Sequence, residues 1–67
     1  MNDEHEQVLA EAAAIRKWIA DRPLLHQEAM GMALVAKNAP EAHIRIRAQK
    51  RFEEIYAYAA ESLGIKI

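Results

Sequence analysis

Pro23 and Pro40 are the only prolines in this chain, and they constrain its fold more than any other residues. Proline lacks the N–H of an intrahelical hydrogen bond and drives the residue before it out of the helical region. It suits the first helical position, where that N–H would have no partner anyway. The segments around the prolines are rich in Ala, Leu, Glu, Gln, Lys and Arg and poor in clustered β-branched residues, a composition that favours helix. The expected fold is therefore all-α: a small three-helix chain, a helical hairpin plus a long third helix. The helices should lie over about residues 3–20, 23–37 and 40–63, within a single domain spanning residues 1–67.

In the first segment Asp3 precedes Glu6 by three positions, the order of a capping box with Asp in place of Ser or Thr. Val8, Ala12, Ile15 and Ile19 then recur at helical spacing, flanked by Leu9 and Trp18, and make an apolar stripe. At the other end of the chain Gly64 is a stop signal, the preferred residue just past a helix, followed by a short Ile65-Lys66-Ile67 tail.

The second segment has no single apolar side. Leu24, Gly31 and Val35 fall on one stripe, Leu25, Ala29, Met32 and Ala36 on a second, and Met30 with Leu34 on a third. A helix that is apolar nearly all round is a buried helix. In a chain of 67 residues two neighbouring helices cannot cover three stripes, so surplus apolar surface is expected, and with it self-association or a protein partner. The core is also thin: 14 of the 35 apolar residues are alanine, and with no cysteine no disulfide can reinforce it. Small chains in this position depend on idealised helix packing or oligomerisation. A homodimeric helical bundle joined through helices two and three is the expectation, with Leu25, Met30, Met32, Leu34, Ile46 and Tyr58 as self-association or partner-binding residues.

The third segment carries its main stripe on Ile44, Ala48, Phe52, Ile55, Ala59 and Leu63, with Tyr56 beside it. Its first half holds Arg45, Arg47, Lys50 and Arg51, and its second half Glu53, Glu54 and Glu61, the reverse of what the helix dipole favours. These four cations are candidate contacts for nucleic acid or an acidic partner. Around the helix they do not form one face, and only Arg47 and Lys50 point clearly outward. Pairing with Asp3, Glu4, Glu6 or Glu11 of another helix or subunit accounts for them as well.

Catalytic chemistry has little to build on. His5, His26 and His43 fall on three helices, without the i, i+4 spacing that puts two ligands on one face, so no metal or cofactor is expected. Ser62 is the sole serine and there is no threonine or cysteine, which leaves nucleophilic catalysis without a nucleophile–base pair. The two glycines are 33 positions apart and form no phosphate-binding loop. No run approaches the 18 or more apolar residues of a membrane span, and the acidic start Met1–Glu6 is unlike a signal peptide. A cytoplasmic, non-enzymatic chain is expected.

These observations point to a small protein-binding regulator, adaptor or inhibitor, of the kind that bacteriophages and mobile elements also encode. The alternative is a nucleic-acid-binding regulator that uses the basic first half of helix three. A formal net charge of −1 provides no overall attraction to phosphate.

Overall fold

A computed structural model describes residues 3–66 and contains three helices, α1 (Asp3–Ala20), α2 (Pro23–Asn38) and α3 (Ala42–Ser62). The chain is all-α, as the proline spacing predicts. The expected capping box is corrected: Asp3 is already helical, the first residue of α1 rather than its cap; Ile67 of the expected tail lies outside the described residues.

The turns are short and held by backbone and arginine. Arg22, in extended conformation, is the N-cap of α2, and Pro23 takes the first turn. The Arg22 guanidinium donates to the Trp18 carbonyl at 2.7 Å and lies 3.5 Å from the centre of the Trp18 ring. It thereby satisfies a carbonyl that the end of α1 leaves without a helical partner. At the second turn Asn38 closes α2 and Glu41 is the N-cap of α3. Pro40 thus sits just before α3 rather than in its first turn. Arg45 reaches back and donates to the carbonyls of Ala39 and Pro40, at 2.6 and 3.0 Å.

The end of α3 is a Schellman motif. Gly64 has φ 75°, Ile65 N–H donates to the Ala60 carbonyl at 2.8 Å, and Gly64 N–H donates to Glu61 at 3.0 Å. This pair of bonds satisfies terminal carbonyls and folds Ile65 back onto the core. Gly31, by contrast, lies in mid-helix, and a Cβ there would meet no neighbour. Alanine should therefore act oppositely at the two glycines. Gly31→Ala should raise stability by about 0.5–1 kcal/mol through helix propensity, whereas Gly64→Ala should cost about 1–2 kcal/mol because Cβ opposes the left-handed conformation. Thermal unfolding followed by circular dichroism, at one fixed protein concentration, checks both signs.

The core is one cluster: Ile15 and Ile19 of α1, Ala29 of α2, and Ile55, Ala59 and Ala60 of α3. Trp18, Leu25, Phe52, Tyr56 and Ile65 pack around it. α2 and α3 form an antiparallel hairpin, and the second half of α1 packs on both. The expectation of a buried, central α2 is corrected here: Ala29 is its sole buried residue, whereas α3 contributes Ala48, Ile55, Ala59 and Ala60. Alanines at the α2–α3 contact let the two backbones approach, and the longer side chains of α2 splay outward.

The stripe of α1 is likewise only half used. Ile15 and Ile19 are buried, but residues 3–10 are all exposed, including Val8 at 61% and Leu9 at 56%. The hairpin underlies only the C-terminal half of α1, so the apolar pattern continues past the end of its support. The result is an open shape with Cα extents of 40 × 28 × 15 Å and a radius of gyration of 13.2 Å, where a compact chain of this length has about 11 Å. The accessible surface is 5270 Å², against about 4,300 Å² for a compact protein of this mass.

Candidate docking surface

The outward faces of α2 and α3 carry the largest exposed apolar side chains. Leu24, Met30 and Leu34 project from α2, and Ile46 and Tyr58 from α3. Of the six expected contact residues, Met30, Leu34, Ile46 and Tyr58 are thus exposed. Leu25 and Met32 are half-buried within the chain, and Leu25 packs on the core. A charge at Leu25 would damage the protomer itself, which makes Leu25 a poor probe of association.

The four exposed residues do not share one face. Ile46 and Tyr58 are twelve positions apart, about 120° around α3 at roughly 100° per residue. Tyr58 turns toward α1, where its ring meets Trp18 edge to face at 5.6 Å between centroids. Ile46 lines a shallow depression of about 580 Å³ with Lys50, Gln49 and Glu53 on α3, closed by Arg45, Ala42 and Ala36.

That depression is the first of three. A second, of about 270 Å³, is lined by Gln49, Phe52, Glu53 and Tyr56. The third, of about 290 Å³, lies where the helices meet, between Phe52 and Tyr56 of α3, His26, Ala29 and Met30 of α2, and Arg16 and Ile19 of α1. Neighbouring depressions share residues: Gln49 and Glu53 join the first to the second, and Phe52 and Tyr56 join the second to the third. Through these shared residues they follow one side of α3 as a shallow groove, with α2 lining its two ends and α3 alone its middle. Its floor includes the stacked rings of Phe52 and Tyr56, with centroids 6.2 Å apart. Leu34 lines none of the three.

The four candidate cations divide into two kinds. Arg45 is tied to the turn before α3. Arg51 grips Glu28 with two hydrogen bonds, at 2.8 and 3.0 Å, and reaches Glu54 at 3.4 Å. The hydrogen bond from Arg51, followed by its charge, holds the Glu28 carboxyl below the ordinary glutamate range. The bonds to Glu28 and then Glu54 raise the Arg51 guanidinium in turn. Arg47 and Lys50 are exposed and have no ion-pair partner among the described residues. The acidic residues of α1 form no ion pair with α3 among the described residues, and Glu28 holds Arg51 instead.

Phe52, Tyr56 and His26, and Glu28 beside Arg51 on the other flank, are the features that helix patterning does not single out as a site. Hairpin register does carry a signal for the ion pair. Glu28 lies 12 residues before Pro40 and Arg51 lies 11 after it, so equal rise along two antiparallel helices brings them level. Ser62, the sole serine, donates its hydroxyl to the Tyr58 carbonyl at 2.8 Å. Among the described residues no group of three His, Asp or Glu side chains converges as a metal site, and no helix is long and apolar enough to cross a membrane. Comparison with protein-family models, with curated proteins and with solved structures finds no match to this chain.

Proposed function

We propose that this chain is a small non-enzymatic regulator, adaptor or inhibitor that binds protein through an apolar helical surface and works as a homodimer. The observation that carries this reading is area. The chain exposes about 1,000 Å² more than a compact protein of its mass, and Leu24, Met30, Leu34 and Ile46 stand exposed on the faces of α2 and α3. Stable protein interfaces take about 800 Å² from each partner, so the surplus matches one interface.

A photo-crosslinking residue placed at Leu34 or at Ile46, in cells that naturally produce the protein, tests the reading. Discrete protein adducts are expected from these positions and not from Lys17, which is exposed on the side of α1 away from Ile15 and Ile19. Equal labelling from all three positions, or none, would count against a protein-binding surface. The alternative, nucleic-acid binding, has two of its four candidate cations occupied within the chain, leaving Arg47 and Lys50. Binding of an oligonucleotide that falls steeply between low and physiological salt, and is lost in Arg47→Glu/Lys50→Glu, would favour it.

A further inference from the structure

Two features of this chain lack a counterpart within it: a groove with an aromatic floor and a cationic lining, and an acidic helical arm that covers nothing. We propose that the first half of α1 in one copy lies in the groove of a second copy, and reciprocally, so that two arms are exchanged about a two-fold axis. This inference rests on the protein-binding reading above and names the occupant of that surface.

Three matches support it. The first is charge. The exposed residues 3–10 contain Asp3, Glu4 and Glu6 with no Lys or Arg, whereas the groove is lined by Arg16, Arg45 and Lys50 against the single carboxylate of Glu53. Facing surfaces of opposite sign fix register and suppress wrong pairings. The second is length. The exposed residues of the arm, 3–10, span about 12 Å and fit within the lining, which follows α3 for about 21 Å from Ala42 to Tyr56. The third is area, because the surplus of about 1,000 Å² is enough for the roughly 800 Å² that each partner of a standard interface contributes.

Helix formation in the arm is a further consideration. Residues 3–10 are helical yet bury nothing in their own chain, and a short helical stretch without packing is marginal in water. Val8 and Leu9 share a side of α1 with Glu4 and His5, at angles of about 0°, 100°, −40° and 60° around the axis. An apolar pair flanked by a carboxylate can thus meet Ile46 while Glu4 faces Lys50, one turn further along α3. Exchange between two copies is isologous and closes, so it needs no third chain.

Sedimentation equilibrium on the full chain provides the test. The wild type should run at twice 7.6 kDa. Ile46→Glu and Val8→Glu/Leu9→Glu change side chains exposed in the protomer, so each should keep its helical circular dichroism while dimer dissociation rises about tenfold or more. Lys50→Glu and Glu4→Lys/Glu6→Lys should each dimerise poorly alone. Mixed together they should associate again, because the reversed charge at position 4 then faces the reversed charge at position 50, and the unaltered arm faces the unaltered groove. A wild type that is monomeric up to millimolar concentration overturns the exchange, and foreign adducts at Ile46 would still uphold the protein-binding reading. Dimers that survive Val8→Glu/Leu9→Glu, or charge variants that do not recover on mixing, also overturn it, since the arm would not be the occupant.

Discussion

Ile55→Ala should leave the chain largely unfolded at 25 °C. Ile55 is 2% exposed and lies in the cluster that joins all three helices. Truncating a buried isoleucine to alanine costs about 2–5 kcal/mol, the transfer of the lost methyl groups plus the cavity they leave. A single core in a chain of this size rarely supplies more than about 3–5 kcal/mol. The loss is therefore comparable with the whole stability. Ile55→Val, at about 0.5–1.5 kcal/mol, should remain folded with a lower urea midpoint. Far-UV circular dichroism and urea titration, at fixed protein concentration because self-association would add stability by mass action, read both. An alanine variant that unfolds at the wild-type urea concentration would mean that the organising contacts lie elsewhere.

The contrast between Ile55 and the exposed apolar residues also marks how far the sequence could be read. Helix limits were legible because they depend on local chemistry: Pro23 at the start of α2, Pro40 between helices, and Gly64, whose positive φ ends α3. The side of α3 that faces inward was legible for the same reason, since Ala48, Ile55 and Ala59 keep one spacing. What local chemistry does not contain is where a neighbouring helix stops. Val8 continues the stripe of Ile15 and Ile19 in perfect phase, yet it is exposed because the hairpin underlies only the later turns of α1. α2 misleads for a related reason. Its apolar residues surround the axis, but small ones make the close contact, so Leu24, Met30 and Leu34 stay outside.

The candidate site divides along the same line. Met30, Leu34 and Ile46 could be named from the surplus of apolar stripes. The groove itself could not, because its walls are contributed by three helices and depend on how α1 crosses the other two. The basic segment was ambiguous in sequence, where Arg45, Arg47, Lys50 and Arg51 have equal standing. Tertiary contacts separate them: two arginines meet carbonyls or carboxylates of their own chain, and the other two cations do not.

Ala59→Leu should be nearly as damaging as Ile55→Ala, by the opposite mechanism. Ala59 and Ala60 are both 0% exposed, enclosed by the core isoleucines and by Ile65 folded back through the Schellman turn. A leucine there has no vacant volume, and overpacking a close-packed site costs about 1–3 kcal/mol, or more where backbones must separate. α1 is the element that would yield, since its buried anchors among the described residues are Ile15 and Ile19, with Trp18 packed against them. The variant should therefore show early exposure of Trp18, the single tryptophan, as a red shift of its fluorescence when its edge-to-face contact with Tyr58 opens. Ala57→Leu provides the control: Ala57 is exposed two residues away on the same helix, and a surface change of this kind stays within about 0.5 kcal/mol. If Ala59→Leu and Ala57→Leu melted together with unshifted Trp18 emission, the close contact at Ala59 would not limit how α1 packs. If Ala59→Leu alone shifts Trp18, the alanines of α3 set the position of α1, and with it the direction in which the acidic arm leaves the protomer.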